Sequence, residues 1–467
     1  MTEQKRLQRA ALIVAAMSSF LGPFMGSAVN VALPSIGKEF GMGVIHLGWV
    51  NTAFLLAAAS FVIPFGRLGD LFGRKRIYTL GIILFTISSV VLAAAGNGTL
   101  LIAMRVFQGF GSAMIFATGL PILMSVFPAG ERGKALGISV AAVYFGLSVG
   151  PFVGGLITQQ LGWRFIFWMN LPAGLILLTV LLTMLKGEWA EAKGEAFDLR
   201  GSLVLAAALT GSMYGFSILP SLFGALAIAA GLICFVIFVK YELRISHPVV
   251  NISLFRDNPV FAFSNLAALI NYAATFAVSF LLSIYLQRVK GFSPQTAGLI
   301  LVAQPIAQML LSPAAGRLSD KIEPRTLASL GMGLSLLGLA LLVPLRANSP
   351  IGYILLCLIV LGIGFGLFSS PNTNAIMSSV ERRFLGIAGA MVSTMRQVGM
   401  MFSMGVVMMV MSLIVGNSEI GPTDQANFLW SMRLAFIIFA AMCFGGIFAS
   451  LARGKLNRKH HASQPVS

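Results

Sequence analysis

Long apolar stretches separated by short polar gaps run along the whole 467-residue chain. A membrane-crossing helix needs about 20 consecutive apolar residues, and these stretches have that length. In the first half they cover residues 10–33, 48–66, 77–96, 99–125, 134–158 and 164–185. Two more follow at 199–218 and 222–240. The second half adds 258–286, 295–316, 326–345, 351–375, 385–415 and 430–451. The pattern predicts an all-α integral membrane protein of 14 transmembrane helices, arranged six, two, six. Mixed-charge stretches at 186–198 and 241–257 bracket the middle pair. The expected units are a six-helix bundle at 1–190, two additional helices with linkers at 191–245, a second six-helix bundle at 246–455 and a tail at 456–467.

Composition agrees. Charged residues make up 10% of the chain and hydrophobic ones 57%, whereas a soluble domain is about a quarter charged. The net charge of +17 suggests a nucleic-acid partner until the positions are examined. Of the 32 Lys and Arg residues, 24 fall in alternate gaps. Six (Lys38, Arg164, Arg288, Lys290, Arg346 and Arg433) fall in the others, and Arg105 and Arg396 lie within apolar runs. This is the positive-inside bias, which places both termini in the cytoplasm and removes the argument for nucleic acid. The run 10–33 is too long for a signal-peptide core and lacks a small-residue cleavage site, so it stays as the first spanning helix. Cys234, Cys357 and Cys443 sit singly in apolar runs and read as small packing residues.

One pattern occurs twice. Gly66-Arg67-Leu68-Gly69-Asp70, followed by Gly73-Arg74-Lys75-Arg76, reappears as Gly316-Arg317-Leu318-Ser319-Asp320. With the middle pair set aside, each copy falls between helices 2 and 3 of a six-helix half. Internally repeated halves are how many alternating-access transporters are built. The glycines permit positive φ, and Asp70 is suited to a helix start. The cluster Gly66, Arg67, Gly69, Asp70, Gly73, Arg74 and Lys75, with Asp320, is the expected gating latch between bundles. A plain basic anchor explains Arg67, Arg74 and Lys75 but neither the acid nor the glycines.

Arg105 and Arg396 are guanidinium groups at membrane depth, where a charge costs about 2.5–3.5 kcal/mol even on the lower scales. They should face protein or water, although Arg105 lies near enough to its helix end to snorkel. Asn30, Asn51, Gln108, Asn271, Gln304, Gln308, Asn372, Asn374 and Gln397 add polar groups on uncharged helices. Ordinary interhelical hydrogen bonds explain about half of them. The rest suggest a cavity with apolar walls and scattered polar contacts. Glycines 146, 150 and 154 share one helical face beside Pro151 and Gly155. Small residues at that spacing let helices approach closely, and the proline bends the chain. No metalloprotease, nucleophile-elbow or phosphate-loop motif and no paired carboxylate occurs. The expectation is no enzyme activity, no metal and no cofactor. His460-His461 belongs to a basic tail.

At these residues the chain resembles the major facilitator superfamily over nearly its full length. The 66–76 loop is similar to that family's cytoplasmic loop signature, Arg105 with Gln108-Gly109 to its helix-4 motif, and Gly146–Gly155 to the helix-5 motif of antiporters. Fourteen helices, with Asn30-Val31-Ala32-Leu33-Pro34, Ser253-Leu254-Phe255-Arg256 and Arg396-Gln397-Val398-Gly399, resemble the fourteen-helix drug:proton antiporter branch. The resemblance implies a monomeric multidrug exporter of the cytoplasmic (inner) membrane that exchanges amphipathic drugs for protons. Its path or proton relay would include Asn30, Arg105, Gln108, Asn271, Gln304, Gln308, Asn372, Arg396 and Gln397. One departure stands out. The branch usually carries an Asp five residues before the Asn, where this chain has Met25, and no Asp or Glu lies in the middle of any run. Either Asp70 or a rim acid such as Glu39 carries the proton, or the substrate is neutral or anionic, without obligatory proton exchange, and meets Arg105 and Arg396.

Overall fold

The computed structural model describes residues 3–128, 131–245, 248, 250, 252–319, 321–380, 385–416 and 425–454. Every described spanning element is helical, as a bilayer requires, because lipid offers no partner to an unpaired backbone group. The first half contains α1 (Glu3–Phe40), α2 (Val44–Phe72), α3 (Arg74–Ala93), α4 (Gly98–Val126) and α5 (Arg132–Gln160), then α6 (Arg164–Trp168) continued by α7 (Asn170–Thr183). The middle pair is α8 (Leu199–Ser217) and α9 (Leu222–Glu242). After the short α10 (Ser253–Asp257), the next span joins α11 (Pro259–Thr275), α12 (Ala277–Ile284) and a π-helical turn, Tyr285–Val289. Then come α13 (Pro294–Leu301) with α14 (Ala303–Ser319), α15 (Pro324–Leu342), α16 (Ile351–Ser378), α17 (Leu385–Ile414) and α18 (Gln425–Ala452). Among the described residues thirteen spans are long and apolar enough to cross a membrane. The fourteenth expected run is α8, which packs along α9.

Local chemistry sets the helix ends. Asn97, Asp198, Ser221, Asn258 and Ser293 each accept a hydrogen bond from the backbone N–H three residues on, capping an otherwise unpaired donor. Gly73 turns the chain from α2 into α3 at φ 116°, a conformation that side chains with a Cβ rarely adopt.

The two halves pack alike. In each, the first span lies against the fifth, the second and third against the fourth, the third against the sixth, and the first against the fourth and sixth. The contacts between halves obey the same symmetry. α2 packs on α17, α5 packs on α13 and α14, and α1 packs on α12. The result is two six-helix bundles related by a pseudo-twofold axis. α8 rests on both α2 and α17, so the inserted pair lies along one of the two seams between bundles. The fifteen residues 184–198 between α7 and α8 do not hang free. They fold back over the loop between α2 and α3, where the Ala192 N–H donates to Asp70 O and the Arg74 N–H to Trp189 O.

Candidate functional site

The bundles meet tightly at the end opposite the basic loops. Pro34, inside α1, has no N–H to offer the Asn30 carbonyl, and the Ser283 hydroxyl from the other bundle donates to that carbonyl at 2.7 Å. The adjacent π-helical turn aims two more donors across the seam, Gln287 to Val31 O at 2.9 Å and Arg288 to Pro34 O at 3.1 Å. The Asn30 side chain accepts from Asn51 within its own bundle. Asn30 therefore belongs to a seal between α1 and the second bundle.

The helix-5 glycines face two ways. A Cβ at Gly146, Gly150 or Gly154 would strike α1 at Phe20 O, Ser27 Oγ or Ala28 Cα, at 2.6, 1.9 and 2.7 Å. A Cβ at Gly155 would lie 2.5 Å from Pro294 O, and one at Gly298 would lie 2.1 Å from Pro151 O. One strip thus packs α5 into its own bundle, while Pro151 and Gly155 bring it against α13 of the other. Here the sequence expectation of close packing meets a specific pair of backbones.

Arg105 is 1% exposed and faces neither lipid nor water, so it does not snorkel. Its Nε donates to Val50 O at 2.9 Å, its Nη1 to Gln108 Oε1, and its guanidinium stands 4.4 Å from the Phe54 ring centre. Gln108 donates onward to Ser89 Oγ at 2.8 Å, and Asn170 Nδ2 lies 3.2 Å from both Ser89 Oγ and the Met25 sulfur. All these groups belong to the first bundle. Met25 ends the network as an acceptor without charge, and among the described residues no carboxylate pairs with Arg105. Asn170 and Ser89, which complete this chain of contacts, gave no sequence signal, because an isolated Asn or Ser in an apolar run looks like any other.

Arg396 sits differently. On α17 in the second bundle, it reaches across to Phe116 of α4 at 5.8 Å and lies beside the Tyr272 hydroxyl of α11, which also approaches Ser369. Tyr144 of α5 donates to Ser369 Oγ at 3.2 Å, and Phe365 stacks edge-on against Tyr272 at 5.1 Å. One guanidinium, two phenols, a hydroxyl and two phenyl rings therefore meet where the bundles face each other. Gln397 is buried beside Arg396 in sequence. Asn271 and Gln308 are also buried. Among the described residues, neither side-chain group of Asn271 and no donor on the Gln308 amide finds a hydrogen-bond partner. Gln304 lies where α14 crosses α16, its carbonyl so close to Gly362 that a Cβ added there would strike it.

Asn372 lies elsewhere. Its Oδ1 accepts from Arg453 at 3.0 Å and its Nδ2 donates to Ser264 O, in a buried polar knot at the basic end of the second bundle. Arg453 is 2% exposed. Burial, with Arg325 nearby, pulls its guanidinium down to about 10, so it stays charged at neutral pH. It reads in the sequence as one more basic residue after the last helix, and only the fold shows it turned inward.

The 66–76 loop makes its contacts within the first half. Arg74 bonds Asp70 at 2.8 Å, Ser125 at 3.0 Å and both oxygens of Glu191 at 2.8 and 2.9 Å. Arg67 pairs with Glu195 at 2.6 Å, and Lys75 Nζ donates to Leu185 O. A Cβ at Gly73 would strike Glu188 at 2.4 Å. Glu188, Glu191 and Glu195 of the linker are thus the partners of the loop, with Arg67, Gly69, Asp70 and Arg74 on one side of the clamp. Gly66 lies closest to Ala117 of α4. Glu39, the rim acid, is held by Arg164 at 2.6 Å and Trp163 at 2.7 Å. Asp320, Glu381, Glu419, Asp424, His247 and the tail from 456 lie outside the described residues.

The sequence of these two bundles matches the profile of the Major Facilitator Superfamily at residues 15–264 and 264–466. The chain belongs to the Major Facilitator Superfamily. It is 32% identical over 439 residues to the riboflavin transporter RibZ of Clostridioides difficile, covering 93% of this chain and 95% of that one. It is 31% identical over 403 residues to the multidrug resistance protein Stp of Mycobacterium tuberculosis, covering 84% and 74%. It is 28% identical to the tetracenomycin C resistance and export protein of Streptomyces glaucescens, covering 89% and 78%. Among solved structures, a bacterial homologue of the lysosomal transporter Spinster aligns with a TM-score of 0.66 at 17% identity, covering 97% of each chain. A peptide transporter aligns with a TM-score of 0.69 at 13% identity, covering 95% and 98%. Both share the fold. The protein is a multi-pass membrane transporter, not an enzyme.

Proposed function

We propose that this transporter exports amphipathic small molecules across the cytoplasmic membrane, with both termini inside, by rocking its two bundles about the chamber at Arg396. One observation carries the reading. The groups at that chamber, Phe116, Tyr144, Tyr272, Ser369 and Arg396, come from both bundles, so a molecule held there changes its contacts when the bundles move. Aromatic walls with a few convergent polar groups are what small-molecule sites use. The end opposite the basic loops is the sealed one, which corresponds to a chamber reached from the cytoplasm. The 66–76 loop serves as the inward gate, held by the linker in this conformation and released to meet the second bundle when the cytoplasmic end closes. Relatives named for multidrug resistance and for tetracenomycin C export support the direction and the substrate type.

Proton antiport is the first coupling mechanism to test. A second reading, transport of a neutral or anionic solute such as the riboflavin of the relative's name without proton exchange, is favoured by Met25 at the end of the Arg105 network and by acids confined to helix ends. Proteoliposomes loaded with ethidium or with riboflavin separate the two. Antiport predicts an efflux rate that rises when the side receiving the dye is made acidic, whereas a rate indifferent to the gradient rejects antiport and leaves facilitation. Wild-type vesicles that move neither compound would reject the exporter reading.

A further inference from the structure

Three buried guanidinium groups engage their donors close to home. Arg105 donates to Val50 O and Gln108 and stands over the Phe54 ring. Arg453 donates to Ser264, Asn372 and Ser450, and Arg74 to Asp70, Ser125 and Glu191. Arg396 differs from all three. It meets the Tyr272 hydroxyl and the face of Phe116, and it enters no ion pair among the described residues. A guanidinium carries five N–H donors in one plane, so most of those on Arg396 remain unused. The residue is half-buried on α17, and no Asp or Glu lies in the middle of any spanning run to balance it. Its surroundings are aromatic and neutral: Phe116, the hydroxyl-linked pair Tyr144 and Ser369, and Tyr272 edge-on against Phe365.

We propose that the chamber takes an organic anion, an aromatic ring bearing a carboxylate or sulfonate, and that the membrane potential drives its export without a counter-moving proton. The acid group fills the unused donors of Arg396 in a two-pronged, charge-assisted contact, and the ring lies among Phe116, Tyr272 and Phe365. A lone guanidinium at membrane depth is costly. A bound anion offsets that cost, whereas a cation would add like-charge repulsion. A charge that crosses the bilayer exchanges energy with the membrane potential, and the cytoplasm is its negative side, so a departing anion moves downhill. Arg396 stays on α17, and each cycle therefore moves the substrate's own negative charge outward. The substrate then does what a titrating carboxylate would otherwise do, which suits Met25 at the end of the Arg105 network. The inference rests on the exporter reading and adds to it the charge of the substrate and the source of energy.

The test uses the full chain in phosphatidylcholine vesicles and three fluorescent probes of similar size. These are 1-naphthalenesulfonate, neutral 1-naphthalenesulfonamide and the cation trimethyl(1-naphthyl)ammonium. Valinomycin with unequal potassium sets the potential, and leak from protein-free vesicles is subtracted. The sulfonate should leave several-fold faster than the cation. Its efflux should accelerate when the interior is made negative, slow when it is made positive and ignore an imposed pH gradient, while efflux of the sulfonamide ignores both. Arg396→Gln should lower sulfonate efflux by about tenfold, a loss of about 1.4 kcal/mol, and Arg396→Lys, which keeps the charge, should retain part of the rate. Cation efflux at or above the sulfonate rate, or sulfonate efflux indifferent to the potential, overturns the proposal and spares the exporter. Fluorescence anisotropy of the probes on wild-type protein in nanodiscs needs no variant. Tighter binding of the sulfonate than of the cation supports the proposal, and equal or reversed binding overturns it. Wild-type vesicles that move none of the three count against the exporter itself, and the binding order still decides which charge the chamber takes.

Discussion

Arg105 shows how a buried cation is kept without an anion. A guanidinium has five donors in a fixed plane, and three kinds of neutral group meet it here: a carbonyl, an amide oxygen and a ring face. A lysine ammonium has no planar fork and no stacking face. Arg105→Lys should therefore cut transport strongly although the charge is retained, and the check is the initial efflux rate in vesicles at matched protein density. Unchanged transport would reduce Arg105 to packing. Met25 is the complementary position. A carboxylate there would stand beside Asn170, at the end of the chain of contacts that leads through Ser89 and Gln108 to Arg105. Met25→Asp should make efflux more sensitive to an imposed pH gradient, and an identical gradient response in mutant and wild type would show that this network has no part in coupling.

At the scale of elements, two devices hold the helices. The first is the glycine strip of α5. Gly298→Val should prevent α5 and α13 from meeting and cost about 1–3 kcal/mol of overpacking, lowering the thermal unfolding midpoint. Gly137→Ala, on α5 with nothing within 4 Å of the added Cβ, should stabilise by about 0.5–1 kcal/mol. The same thermal scan reads both, and a Gly137→Ala loss equal to that of Gly298→Val would mean that helix propensity, not contact, governs the strip. The second device is the clamp of the linker on the 66–76 loop. Exposed ion pairs contribute little individually, but Arg74 is only 11% exposed and grips Glu191 with two nitrogens. Arg74→Glu should impair transport, and Arg74→Glu with Glu191→Arg should restore part of it. Absence of any rescue would show that the pair is incidental.

The elements were legible in the sequence because lipid enforces a length and an apolarity that few alternatives satisfy. The runs, their order and the glycine strip follow from that constraint. The partners were less legible. The 186–198 stretch reads as a linker because its acids and bases alternate, yet those acids are spaced to meet Arg67, Arg74 and Gly73 once the chain folds back. Tyr144, Tyr272 and Ser369 look like ordinary helix residues until α5, α11 and α16 converge. Asn372, a candidate for the path, is used instead by Arg453, and no local pattern announces a residue just past a helix end that turns inward.

At the scale of the whole molecule, the shared packing scheme of the two halves means that the seams at α2–α17 and α5–α13/α14 are equivalent hinges. α8 leans on the first, and a shallow groove lined by Ile138, Phe145, Met309 and Pro313 lies along the second. Rocking about such a pair should open one end as it closes the other. Spin labels report this directly, with one pair at Lys38 and Arg346 on the sealed end and another at Phe72 and Lys321 on the basic end, all exposed. Double electron–electron resonance in vesicles, with and without a transported dye, should show the first distance lengthening while the second shortens. Distances that stay fixed at both ends during demonstrated transport, or that lengthen together, would contradict two rigid bundles pivoting around a central chamber.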